Sequence, residues 1–374
     1  SGDGSACRLF EKLTSALSSL GTHEVQTSVK FENSLSRSWG EGGQRPGEGV
    51  RTNGAASLGG LRSLATSSRM TQQEIKLSTA PDFSFWRTAF SHGWCALEPF
   101  VLDRSHRRLT RMLRSAQGPV LVEMSSESSQ ILQLVVRSHH SLSKPDVAGL
   151  KKQVGIMLRL DESLEPFYAT LARVAANGEF EWIRKERAGR LLRGPDPFED
   201  VVKMICTTNC AWSATERMVA NLVNKLGTRF DENHADFPTA EQLAAASEQF
   251  MVQEIRTGYR SRYLLELARR VASGELDFSR WLRLGEDELY REIVSIKGVG
   301  PYAAGNLMRL FGHYRHLALD SWCRPQYSKI HRQGRKVSDK TIARHYGKYG
   351  QWSGLVLWLD LTREWFGDVS ERPF

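Results

Sequence analysis

Residues 286–324 run EDELYREIVSIKGVGPYAAGNLMRLFGHYRHLALDSWCR, the pattern of two helices joined by a glycine hairpin, with an acidic residue opening a third. Leu289, Ile293 and Ile296 fall on one helical face. Gly298 and Gly300 end that helix, since glycine reverses the chain without steric cost. Pro301 suits the first turn of the next helix, where its missing N–H is not needed. Such a hairpin presents backbone N–H groups and the positive end of a helix, a surface suited to phosphate.

Asp320, twenty residues beyond Gly300, is predicted at a helix N-terminus, where the dipole favours an anion. A carboxylate fixed there stabilises positive charge that builds up on a bound substrate. The same side chain also serves to orient or deprotonate water. Asp is a common N-cap too, and a cap holds the side chain where it would work.

Lys297-Gly298-Val299-Gly300-Pro301-Tyr302 followed by Asp320 in LALDSW resembles the helix-hairpin-helix plus Gly/Pro/Asp motif of the HhH-GPD DNA glycosylases. The resemblance extends over roughly residues 80–370 and is nearest the 3-methyladenine and 8-oxoguanine branch. It implies a mixed α+β fold: a small antiparallel β-sheet domain, residues 80–165, before a helical core, residues 166–370. The alternation in GPVLVEMSSESSQILQLVVRS independently predicts a β-hairpin, and KPDVAGLKKQVGIMLRL a helix. FSFWRTAFSHGWCALEPFVLD offers short aromatic strands, with His92, Trp94 and Phe100 as pocket walls or core.

The resemblance assigns further roles. Asn209, in ICTTN at a break between helices, would fill the gap left by a flipped nucleotide. Tyr259 in GYRSRY would wedge the opposite base, with Arg260 and Arg262 on phosphates. Lys297, Gly298 and Gly300 would grip DNA backbone. Tyr302 and Trp352 would enclose the flipped base. The backbone carbonyls of Val294, Ile296 and Val299 would hold a monovalent cation. Position 302 carries tyrosine where bifunctional members carry the Schiff-base lysine, implying a water-dependent, monofunctional hydrolase. No four-cysteine cluster follows the hairpin, so no iron–sulfur cluster is expected, and no cofactor is required.

Residues 324–348 hold eight Lys/Arg against one acid, Asp339, so Lys329, Arg332 and Arg335 are expected to contact phosphates. The net charge of +9 over 374 residues favours a polyanionic partner, which the resemblance implies is double-stranded damaged DNA. Five scattered cysteines suggest a reducing, intracellular setting; Cys206 and Cys210, four apart, read as buried thiols or, less simply, a metal pair. Residues 1–70 are Gly-, Ser- and Arg-rich, predicting a disordered tail, with Met70 a candidate natural start. LFEKLTSALSSL within it suggests a short helix. Acidic residues among the arginines disfavour an organelle import signal. The expectation is a monomeric base-excision enzyme removing an alkylated purine such as 3-methyladenine. An 8-oxoguanine-type glycosylase, or a non-catalytic DNA-structure-binding protein, are the alternatives.

Overall fold

The computed structural model describes residues 70–366 apart from 129, 176 and 177. The expected tail and its short helix therefore lie outside the described residues. Five antiparallel strands, β1 (Thr71–Ser78), β2 (Phe100–Asp103), β3 (Arg108–Ser115), β4 (Gly118–Ser128) and β5 (Ile131–Ser138), form one sheet in the order β1-β5-β4-β3-β2. The predicted hairpin is β4–β5, pairing Val122 with Val136 and Met124 with Leu134. In β5 every second residue, Leu132, Leu134 and Val136, is buried, as a half-covered strand requires.

The aromatic stretch before β2 corrects the sequence reading. Phe85–Ala89 is a helical turn and Gly93–Ala96 a 3-10 turn; only Phe100–Asp103 pairs as a strand. Its aromatic side chains face the core rather than alternate, which the strand reading needed. Trp94 donates to Asp200 (2.8 Å) and Phe100 lies beneath Arg111, so both are core, not pocket walls.

Ten α-helices of nine residues or more follow among the described residues: α1 (Lys144–Leu158), α2 (Glu165–Val174), α3 (Pro197–Thr207), α4 (Trp212–Leu226), α5 (Ser261–Ala272), α6 (Glu286–Ser295), α7 (Pro301–Leu310), α8 (Cys323–Arg332), α9 (Asp339–Gly347) and α10 (Ser353–Leu361). Helix α1 starts where predicted, through a capping box in which Ser143 and Asp146 exchange side-chain and backbone bonds. One apolar cluster is continuous from the sheet through α1 and α3–α7. A second gathers α2 with α8–α10. Polar braces join sheet to helices: Glu199 on α3 accepts from Arg111 of β3 (2.9 Å) and pairs with Lys203 (2.7 Å), all three buried. The hairpin α6–α7 belongs to the first cluster, Trp358 packs against both, and Asp320 sits in the connection from α7 to α8.

Candidate active site

Asp320 is fixed by the chain that follows it. Its Oδ1 accepts from the backbone N–H of Trp322 (3.0 Å) and of Cys323 (2.6 Å), the N-cap and first residue of α8. The N-cap position itself is Trp322, so Asp320 binds the helix start from two residues upstream. The Tyr302 hydroxyl and the Cys323 thiol both face this carboxylate, and burial together with its charge pushes both protons' pKa values up. The residue Tyr302 remains 36% exposed, so the ring is open to solvent while the hydroxyl points inward. An anion, an aromatic ring and a protonated phenol thus meet at one point.

Gly298 has φ +88°, and a Cβ there would meet the Tyr263 ring at 2.9 Å. Gly300 differs from the sequence reading: φ is −85°, ordinary extended backbone, with open space where a Cβ would stand. Its glycine is not needed for the turn; it leaves the start of α7 uncovered, as approach of a phosphate requires. The carbonyl of Ile296 accepts from Val299 N–H (3.0 Å), closing the hairpin.

Trp352 corrects the proposed pocket wall. It is 9% exposed, stacked on Tyr314 (5.3 Å between centroids) and tilted against Phe167 (5.2 Å) in the second apolar cluster. Its ring is already used in packing and cannot clasp a base opposite Tyr302. Two turns along the chain, Trp358 is a candidate that sequence reasoning missed. It is half-buried, donates to the Ser91 carbonyl (3.2 Å), and neighbours Trp322 (6.2 Å), Trp365 (5.6 Å) and His92 (6.5 Å). Trp322 is the residue whose N–H holds Asp320. Arg309, buried at 3% exposure, lies 5.3 Å from the Trp358 ring, donates to Leu317 O (3.3 Å), and leaves Nε without a partner. Desolvation lowers its pKa, while Cys323, Tyr302 and Asp320 nearby raise it, so a cation stands behind the anion. The signal in the sequence was Arg309 on the buried face of a helix otherwise lined by Ala303, Ala304 and Leu307.

The break between α3 and α4 is present, and Asn209 there adopts φ +46° with its side chain exposed. Tyr259, 46% exposed, follows Gly258 at φ +57°. Arg260 does not meet phosphate as expected. It is 6% exposed, covers the Tyr259 ring (4.6 Å) and donates to the Thr208 carbonyl, next to Asn209. Burial converts it from a ligand contact into a brace between the two projecting residues. Arg262 is exposed, beside Tyr263. Lys297 is exposed and paired with Glu266 (2.8 Å). Lys329 and Arg332 on α8 and Arg335 beyond it are exposed, while Arg324 is bound to Asp339 (2.7 Å). Cys210 donates to the Cys206 carbonyl (3.2 Å), and burial pushes Cys206 up to about 12; these are packed thiols.

Residues 202–353 match the family model described as HhH-GPD superfamily base excision DNA repair protein. Residues 202–353 are thus similar to an HhH-GPD core. A probable N-glycosylase/DNA lyase of Methanothermobacter thermautotrophicus is 25% identical over 235 residues, covering 56% of this chain and 73% of that protein. Two solved structures share the fold: a 3-methyladenine DNA glycosylase from Archaeoglobus fulgidus (TM-score 0.60, 18% identity, 79% of this chain and 99% of that one) and an 8-oxoguanine glycosylase/lyase from Clostridium acetobutylicum (0.58, 19%, 78% and 98%). The HhH-GPD core contains Asn209, the Tyr259 turn, the hairpin, Asp320 and Trp352; Trp358 lies just past its matched end.

Proposed function

We propose that this HhH-GPD protein is a monofunctional base-excision DNA glycosylase that flips a damaged purine from duplex DNA and hydrolyses its N-glycosidic bond. The observation that carries this reading is the Asp320 carboxylate, held by two helix-start N–H groups and faced by Tyr302. A rigid anion there stabilises an oxocarbenium-like sugar as the base departs. The same carboxylate orients water. Tyr302 and Trp358 flank the base, Asn209 fills the vacated stack, and Tyr259 wedges the opposite strand. The hairpin and Gly300 seat one phosphate, and the carbonyls of Val294, Ile296 and Val299 suit a monovalent cation beneath it.

The substrate read first is an alkylated purine, because the Trp322, Trp358 and Trp365 rings, in mutual contact, offer electron-rich faces to a cationic base. A second reading, an oxidised and neutral purine, is favoured by Arg309, whose charge behind Trp358 opposes a cationic one. A panel of duplexes with single defined lesions separates them. Alkylated purines are expected to be released, leaving an abasic site cleaved only by later alkali, with no borohydride-trapped adduct since a phenol forms no imine. Release of oxidised purines alone overturns the first substrate reading; a trapped adduct overturns the single activity; no release of any base overturns the glycosylase reading.

A further inference from the structure

Away from Asp320, the second apolar cluster encloses a group of polar side chains that DNA chemistry does not use. Glu179, in the turn before the short helix Glu181–Lys185, His331 in the last turn of α8 and His345 in the last turn of α9 place one ligand atom each within 4.8 Å of one another. The two imidazole rings lie 4.6 Å apart. We propose that Glu179, His331 and His345 form a binding site for a divalent transition ion of the zinc class, clasping the Glu179 turn to helices α8 and α9.

The surroundings are those of a built site. His331 Nε2 lies 2.7 Å from the carboxylate of Asp360, which also accepts from the Tyr346 hydroxyl (2.6 Å). As an Nε2–H donor to Asp360, His331 keeps its lone pair on Nδ1. His345 Nδ1 lies 3.0 Å from the Tyr327 hydroxyl, and its Nε2 is buried with no partner. With Nδ1–H donating to Tyr327, that Nε2 is a bare lone pair removed from water, a state that offers nothing in return for its desolvation unless an ion fills it. Each histidine thus has its other nitrogen occupied by a carboxylate or hydroxyl, the arrangement that fixes tautomer and raises ligand basicity at metal centres.

Imidazole nitrogen with one carboxylate selects zinc-like ions over magnesium or calcium, which prefer oxygen alone. Zinc bonds of about 2.0–2.2 Å put tetrahedral ligand atoms about 3.4 Å apart, so side-chain rotations closing at most about 1.4 Å complete the site. Water supplies the fourth position. His331 belongs to the helix whose N-cap and first amides hold Asp320, so an ion here anchors the far end of that helix.

The test uses the full chain stripped by chelator and dialysed, then titrated with Zn²⁺ alone and with Co²⁺ alone. One equivalent is expected to bind with a micromolar or lower Kd. A hundredfold excess of Zn²⁺ over Kd should raise Tm by roughly 5 °C or more. Co²⁺ should give weak visible bands and no strong near-ultraviolet thiolate band. Glu179→Ala, at a half-exposed turn, should lose most of the Tm shift; His345→Ala should abolish it; Asp360→Asn should weaken affinity roughly tenfold to a hundredfold. Absence of uptake, uptake unchanged in both Glu179→Ala and His345→Ala, or a thiolate band from a cysteine site would each overturn the proposal.

Discussion

Two tryptophans six positions apart divide structure from chemistry. Trp352 has its ring committed to Tyr314 and Phe167, whereas Trp358 stands among Arg309, Trp322 and His92 beside the Asp320 loop. Replacing Trp352 by Ala should cost about 3–5 kcal/mol of stability, read as a shift in the denaturant midpoint. Trp358→Ala should reduce single-turnover excision roughly tenfold to a hundredfold, with undamaged-duplex affinity unchanged, because a base loses its stacking face. Equal effects of the two on excision per folded molecule would refute the division. Periodicity puts both rings on apolar positions of one stretch; which ring keeps a free face depends on α2 and on the Ser91 loop, hundreds of residues away. Arg260 shows the same limit. An arginine beside a wedge reads as a phosphate ligand until the Thr208 carbonyl, 52 residues upstream, claims it.

At the scale of elements, the hairpin was legible because glycine, proline and an apolar stripe act locally, yet its two glycines have different reasons. Gly298→Ala forces a left-handed backbone and a clash with Tyr263, costing roughly 1–3 kcal/mol. Gly300→Ala meets nothing and should leave stability within about 0.5 kcal/mol, while weakening duplex binding because the methyl group covers the start of α7. Thermal melts and fluorescence-anisotropy titrations on both variants check this, and a Gly300→Ala protein that binds DNA like the parent would remove the phosphate from the hairpin. The β4–β5 hairpin was equally readable from its alternation, and α1 from the run that follows Pro145. Strand β1 was not: in TQQEIKLS only Ile75 is buried, so an edge strand carries almost no apolar signal. Residues 85–96 misread as strand because short aromatic runs fit either period, and long-range burial, such as Trp94 on Asp200, chose the helical turns.

Across the whole molecule, the exposed basic residues after Asp320 and the pH response of the core are both measurable. Lys329→Ala, Arg332→Ala and Arg335→Ala should each weaken binding to any sequence and reduce the slope of log K against log salt by about 1. An unchanged slope in all three would turn that face away from DNA. His92 joins the N-terminal segment to the helical core through Leu192 O (2.6 Å) and the Trp358 ring. Burial pushes its pKa down to about 4, from the ordinary 6.5. The folded form therefore holds His92 neutral while the unfolded chain takes up a proton below pH 6.5, so stability is lost as pH falls from 6.5 towards 4, by up to about 3 kcal/mol. Urea midpoints at pH 7 and pH 4.5 should fall less in His92→Gln, whose amide keeps a donor for Leu192 without titrating; an equal fall would assign the acid loss to other groups.

The measurement closest to the central claim is single-turnover excision by Asp320→Asn beside the parent enzyme, on whichever lesion duplex the parent processes, with duplex affinity measured on the same samples. The asparagine keeps the shape and the bonds from Trp322 and Cys323 N–H but removes the charge. Excision is predicted to fall by at least about a hundredfold to a thousandfold while affinity stays within a few-fold of the parent. Asp320→Asn turnover near the parental rate would contradict the account.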